Sequence, residues 1–142
     1  MKQVYKASEY DYLNVLEGIK RKTLVFGSNS LMTEFRLEKG KNLPLHRHSN
    51  EQTGYLISGH IILNIDGQNF EMHAGDSWCI PGDTEHGAEI IENSIAIEVF
   101  CPVREDYLLK YPTLYIIVSR ICSHGTIGVW IRKIANCLCL LF

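Results

Sequence analysis

Residues 40–59 read GKNLPLHRHSNEQTGYLISG and bring three side chains of metal-ligand type into one short stretch. His46 and His48 are two residues apart, and Gln52 follows with the same parity. Because the side chains of a strand alternate between its faces, both imidazoles are expected on one side, where they can bind the same ion. A fourth polar group, His86, ends a similar Gly- and Pro-punctuated segment. The pattern predicts a metal site of three histidines and one amide.

Other polar residues fit this site less well. Glu51 is the rival of Gln52 as a ligand, but it has the opposite parity. His60 and His73 have no such motif around them and are expected to face solvent. Three neutral imidazoles and an amide leave the charge of an ion uncompensated, which favours an anionic or oxygen-rich ligand. Imidazole suits Zn, Fe, Ni and Cu, and the amide oxygen also tolerates Mn, so the identity of the divalent metal stays open.

Short strands separated by turns account for most of the first 112 residues. Asp66-Gly67 lies between two alternating apolar runs, which is a strong hairpin signal. We count about nine strands with turns roughly every 8–12 residues, and a short helical turn near residues 8–11, which predicts an all-β sandwich or barrel. The predicted strands include residues 23–26, 31–38, 53–58, 60–66, 68–73, 77–80 and 94–100.

Composition excludes several classes of protein. A chain of 142 residues is long enough for one domain with a real core. A net charge of −2 gives no basic footprint, so nucleic acid is not expected as a partner. The five cysteines form no C-x-x-C pair, which indicates reduced thiols. The first twelve residues lack the apolar run of a signal peptide, and we expect a cytoplasmic location.

The composition changes after Pro112, so we predict one domain at residues 1–112 and an extension at residues 113–142. The extension holds no acidic residue, and nineteen of its thirty residues are apolar. Basic residues interrupt its apolar runs below the roughly 18 residues of a membrane-spanning helix. A strand at residues 114–118 and an amphipathic helix after it are expected. The apolar stripe indicates core packing or a dimer contact, with membrane-surface contact or a non-native tail from an altered reading frame as alternatives.

The two punctuated segments resemble the two motifs of the cupin family. The departures are Asp83 where the second motif has glycine and Ile90 where it has asparagine. The resemblance covers about residues 13–112 and implies a double-stranded β-helix, or jelly roll, with the metal inside the barrel. The first motif is matched by Gly40, His46, His48, Gln52 and Gly59, and the second by Gly75, Pro81 and His86.

Within the cupins, the chain resembles the small single-domain proteins of the KdgF type. The resemblance rests on residues 46–59 and on the run Glu98-Val-Phe-Cys-Pro-Val-Arg104. It implies that Glu98, Phe100 and Arg104 serve the reaction, with Glu98 standing where that family has aspartate. The alternative is that Glu98 and Arg104 form a plain ion pair. Carried over by position, the implied metal ligands are His46, His48, Gln52 and His86.

The implied activity is the conversion of 4,5-unsaturated monouronates, released from pectin or alginate, into linear keto sugar acids. A second reading is a non-catalytic cupin that binds a small sugar acid or other anion as a sensor or accessory protein. A weaker third reading is a metal-dependent dioxygenase. Exposed strand edges in small jelly rolls are often covered by a partner, so a homodimer is expected.

Overall fold

The computed structural model describes residues 2–108, in which ten antiparallel strands alternate with tight turns. Two short 3₁₀ turns, Ala7–Glu9 and Glu105–Tyr107, flank the strands. The strands are β1 (Leu13–Leu16), β2 (Ile19–Phe26), β3 (Leu31–Leu37), β4 (Asn42–His46), β5 (Glu51–Ser58), β6 (His60–Ile65), β7 (Gln68–His73), β8 (Ser77–Ile80), β9 (His86–Ile90) and β10 (Ser94–Cys101).

The strands form two sheets. One has six strands in the order β1-β2-β3-β10-β5-β8, and the other has four in the order β4-β9-β6-β7. Neighbours in sequence are often not neighbours in the sheet, since β10 lies between β3 and β5, and β9 lies between β4 and β6. The predicted all-β class is therefore confirmed.

Alternating burial places the core between the sheets. In β3, the side chains of Leu31, Thr33, Phe35 and Leu37 are all buried, as their alternation predicts. The neighbouring strands β5 and β10 also bury their inward side chains. Phe100 of β10 lies opposite Gln52 of β5 in the register, and both are buried. The inward face of the six-stranded sheet thus carries a buried polar side chain, Gln52, beside apolar ones.

The β6–β7 hairpin forms where the sequence predicts it. Asp66 and Gly67 have φ angles of 51° and 78°, the left-handed pair that a two-residue hairpin turn requires. Two features differ from expectation. The strand pattern missed β1 and the first half of β2, and β4 ends at His46, so His48 lies in the loop before β5 rather than on the strand. Pro44 lies within a break in the pairing of β4 with β9, and the strand stops soon after it.

The chain divides after Glu105 into two units. Nearly all of the second unit lies outside the described residues. This includes the predicted boundary at residue 112, the predicted strand at 114–118 and the predicted amphipathic helix. Within residues 2–108, we find no helix with the length and apolarity needed to cross a membrane. The cytoplasmic location stays a prediction.

Candidate metal centre

Three histidines converge at one end of the barrel. His46 ends β4 and His86 begins β9, and the two are partners in the register of these strands. His48 joins them from the loop that follows β4. The ring centroids are 4.3 Å apart for His46 and His86, 5.0 Å for His48 and His86, and 5.8 Å for His46 and His48. One ring nitrogen from each lies within 4.8 Å of the others, which is close enough for a single ion to bind all three.

The main chain fixes the orientation of each ring. In every case Nδ1 lies within hydrogen-bond distance of a backbone carbonyl two residues away. A carbonyl oxygen only accepts, so Nδ1 carries the proton and Nε2 presents its lone pair to the centre. The three contacts are His46 Nδ1 to Pro44 O at 2.9 Å, His48 Nδ1 to Asn50 O at 3.0 Å, and His86 Nδ1 to Thr84 O at 2.8 Å.

His86 has an unused ligand atom. Its side chain is 2% exposed, and its Nε2 is buried with no hydrogen-bond partner among the described residues. Burial lowers the pKa of His86 to about 4, so the imidazole is neutral at pH 7. A buried lone pair without a partner is costly, and a metal ion would satisfy it.

His48 and Gln52 give a second indication that a cation fits. His48 Nε2 lies 3.0 Å from Gln52 Oε1. Burial and the charge of Arg104 lower the pKa of His48, so the ring is neutral and has only one proton to donate. Since Asn50 O accepts that proton, Nε2 and Oε1 face each other with lone pairs. An ion bound by both atoms would turn this repulsion into attraction.

Gln52 also connects the histidines to a carboxylate. Its side chain is 4% exposed, and its Nε2 donates a 2.7 Å hydrogen bond to Glu98 Oε1. Because this donor faces Glu98, the amide oxygen is left facing His48. Glu51, the rival ligand, is exposed.

The surroundings of Glu98 shift the pKa of its carboxyl group. Desolvation raises the pKa of Glu98 to about 7, while the Gln52 hydrogen bond, the charge of Arg104 and the Trp78 indole act in the opposite direction. A carboxyl group with a pKa near 7 can take up and release a proton at neutral pH. Trp78 reaches this position because residue 54, which lies opposite Glu98, is glycine. A Cβ there would lie 2.1 Å from the indole ring.

Phe100 and Arg104 complete the site. Phe100 is 1% exposed and lies on the same face of β10 as Glu98, as their shared parity predicts. Its ring centroid is 5.6 Å from that of His48, and the guanidinium carbon of Arg104 is 5.3 Å from the Phe100 centroid. The structure therefore brings together every site residue named from the sequence, with Arg104 supplying a positive charge beside the histidines.

The loop that carries His48 is held by residues to which the sequence assigned no role. Asn50 is buried, and its Nδ2 donates a 2.6 Å hydrogen bond to Pro102 O, which ties this loop to the segment before Arg104. Gly82 allows the opposite loop to approach, because a Cβ at this position would lie 2.3 Å from Ser49 O. Both residues fall inside the quoted motifs, but their partners are distant backbone atoms that motif spacing does not reveal.

Asp83 stands where the second cupin motif has glycine. Its φ angle is 63°, in the left-handed region that glycine adopts freely and aspartate tolerates. Its backbone N–H donates a 2.7 Å hydrogen bond to His48 O. The departure from the motif therefore leaves the loop contact intact.

The two remaining described histidines lie elsewhere. His73 is exposed, as expected, whereas His60 is only half-exposed and its Nε2 is buried. The expectation that His60 faces solvent is therefore wrong for its Nε2 atom, and the His60 ring stacks on that of His73.

Comparisons with known proteins agree with this geometry. The family described as "Cupin domain" matches residues 33–101. Pectin degradation protein KdgF of Dickeya dadantii is 26% identical over 110 residues, which cover 76% of this chain and 100% of that protein.

Solved structures confirm the jelly roll. An RmlC-like cupin from Shewanella frigidimarina superposes with a TM-score of 0.71 at 28% identity, covering 75% of this chain and 96% of its own. KdgF from Halomonas sp. gives a TM-score of 0.70 at 27% identity, with 75% of this chain and 98% of that chain covered. The chain therefore carries a cupin domain at residues 33–101, and within the cupins it resembles the KdgF-type proteins.

Proposed function

We propose that this protein is a metal-dependent enzyme that converts 4,5-unsaturated monouronates into linear keto sugar acids. The observation that carries the proposal is the Gln52 amide, which joins a three-histidine donor set to the Glu98 carboxylate. The substrate class is supported by the similarity to a pectin degradation protein and by the positive charge of Arg104, which suits a uronate carboxylate.

The reaction is an isomerisation and needs no co-reactant. The hemiacetal hydroxyl at C1 loses its proton, the bond between C1 and the ring oxygen breaks, and an aldehyde forms at C1. The electron pair of that bond stays on the ring oxygen, which gives an enolate at C5. Proton delivery to C4 then gives the C5 ketone.

The residues of the chain divide this work. A divalent ion held by His46, His48, Gln52 and His86 would supply Lewis-acid stabilisation of charge on substrate oxygens. Glu98 delivers the proton to C4, for which a pKa of about 7 is well placed. Arg104 binds the substrate carboxylate in a bidentate pair. Phe100 packs against the sugar ring and keeps water from one side of it.

The decisive experiment follows the ultraviolet absorbance of an unsaturated monouronate with purified protein, before and after chelation. Because the substrate also decays spontaneously, each trace is compared with a blank that holds no protein. We expect an acceleration that chelation abolishes and that one divalent ion restores. No acceleration by metal-loaded protein would contradict the proposal and favour the sensor function. Oxygen consumption with the same substrate would favour a dioxygenase.

We also propose that the protein is a homodimer. The outer face of the six-stranded sheet exposes large apolar side chains, with Tyr55 and Ile57 49% and 46% exposed. Ile97, the partner of Tyr55 in β10, extends this apolar surface. Light scattering on the full chain is expected to give twice the chain mass, and a monomer mass at micromolar concentration would contradict the proposal.

A further inference from the structure

A second cluster of ligand side chains lies on the β6–β7 hairpin, outside the barrel. His60 and His73 are directly opposite each other in the register of these strands. Glu71 is two residues before His73 and therefore shares its face. The neighbours of opposite parity, Ile61 and Met72, are buried in the core. The three ligand side chains thus belong to the outer face of the four-stranded sheet.

This cluster is well separated from the barrel centre. The β6 residue opposite His86 is Ile65, at the far end of the strand from His60. Five residues of strand correspond to about 17 Å. An ion bound at one cluster is therefore out of reach of the ligands of the other.

The geometry of the cluster suits a metal ion. The rings of His60 and His73 are stacked with centroids 4.3 Å apart and an interplanar angle of 28°. One ligand atom each from His60, Glu71 and His73 lies within 4.8 Å of the other two. Within residues 2–108, His60 Nε2 is buried and has no hydrogen-bond partner. A stacked pair of rings with a buried free nitrogen leaves one polar atom unsatisfied, which coordination would correct.

The charge balance favours a cation as well. Glu71 brings one carboxylate to the cluster, and Glu89 adds a second to the same face through its pairing opposite Ile62. Two histidines and a glutamate form a three-ligand set that zinc accepts, with its remaining position open to water.

We propose that His60, Glu71 and His73 bind a second divalent transition-metal ion of the zinc class, at a site separate from the barrel centre. The bound ion joins the two strands of the hairpin and stabilises the edge of the four-stranded sheet. The partners of the ion at this site are β6 and β7 alone, so its occupancy is independent of the barrel ligands.

The test measures the number of Zn²⁺ ions that the full chain retains after equilibrium dialysis. The thiols of its five cysteines are blocked first, because free thiolates are zinc ligands in general. We expect H73A to retain one ion fewer than the wild type. H86A should lose the other ion and keep this one. Equal retention by H73A and the wild type would overturn the proposal. Circular dichroism shows whether H73A is folded, and H73Q replaces it if it is not.

A matched pair of substitutions separates ligation from general charge. E71Q and E89Q each remove one carboxylate from the same face. We expect E71Q to weaken Zn²⁺ binding at this site by on the order of tenfold or more, because it removes a ligand. E89Q should change the affinity by no more than about twofold, since its charge is screened at the exposed surface. Equal effects of the two substitutions would mean that Zn²⁺ is attracted to the acidic face without being coordinated, and would contradict the site.

Discussion

The barrel centre and the β6–β7 cluster offer similar side chains but hold them differently. In the barrel, each histidine has its Nδ1 beside a backbone carbonyl, and Gln52 links the ligands to Glu98. On the hairpin, His60 and His73 are placed by strand register and by stacking on each other. In the barrel, therefore, backbone carbonyls fix the tautomer of each imidazole, and a carboxyl group with a raised pKa is hydrogen-bonded to one of the candidate ligands. These are the features expected of a site that moves a proton.

The largest expected effect is on turnover. E98Q keeps the shape of the side chain and its acceptor for Gln52, but it cannot carry the proton. We expect turnover of the unsaturated uronate to fall by about 10²–10⁴-fold while the metal is retained. E89Q, which removes a carboxylate from the outer face, is the control and should keep full turnover. Unchanged turnover in E98Q would remove Glu98 from the reaction.

The next effect is on metal affinity in the barrel. H86A removes the most deeply buried ligand, and we expect the barrel affinity for Zn²⁺ to fall at least about 100-fold. Isothermal titration on the thiol-blocked chain measures it. The hairpin site should keep its affinity. Parallel losses at both sites would show that they are coupled and would contradict their independence.

Removing a residue that supports a ligand should reduce the metal affinity of the barrel less than removing the ligand itself. N50A breaks the bond to Pro102 that orders the His48 loop, and we expect barrel affinity to fall about tenfold. S49A changes the neighbouring exposed side chain and is expected to leave the affinity unchanged. A loss in S49A equal to that in N50A would mean that any change in this loop disturbs the centre.

The metal-free protein should show opposing pH dependences. Burial raises the pKa of Glu98 from 4.5 to about 7, so its contribution to stability is lost as pH rises through this window. The pKa of His86 is lowered from 6.5 to about 4, so stability is also lost as pH falls through that window. We expect E98Q to remove the loss at high pH, on the order of 1 kcal/mol at pH 8, and to leave the loss at low pH. Thermal melts from pH 4 to 8 measure both arms, and identical profiles for E98Q and wild type would contradict the assignment.

The smallest effect concerns the turn beside the centre. Asp83 adopts a left-handed φ, so D83G relieves backbone strain but adds entropy to the unfolded chain. We expect a net stabilisation of no more than about 0.5 kcal/mol and unchanged metal affinity. Denaturant titration measures the first quantity. Weaker metal binding in D83G would show that the aspartate side chain, and not only its backbone, supports His48.

Much of the barrel centre could be predicted from the sequence. The spacing of the histidines and Gln52 predicts which side chains meet, and the parity of Glu98 and Phe100 predicts that they share a face. The carbonyl groups that orient the histidines could not be predicted from the sequence, because Asn50 and Thr84 contact the rings through backbone atoms. His48 lies in a loop because β4 ends at His46, and the alternation of side chains does not predict where that strand ends.

The hairpin cluster could have been found from the sequence. His60 and His73 are each six residues from the Asp66-Gly67 turn, on opposite sides of it. A two-residue hairpin pairs positions that are equally distant from the turn, so these histidines must meet if the hairpin forms. The signal lies in the turn and not in any local motif around either residue.

The pairing of His46 with His86 also makes the proposed metal centre depend on the correct register of β4 and β9. β4 is an edge strand with an irregular register, where slippage is easiest. A slip of one residue would turn one of the two imidazoles away from its partner. If the centre binds an ion as proposed, only the native pairing would bind it tightly, and ion binding would favour that register over its alternatives. Metal binding at this centre would thus stabilise the correctly paired barrel over misregistered forms.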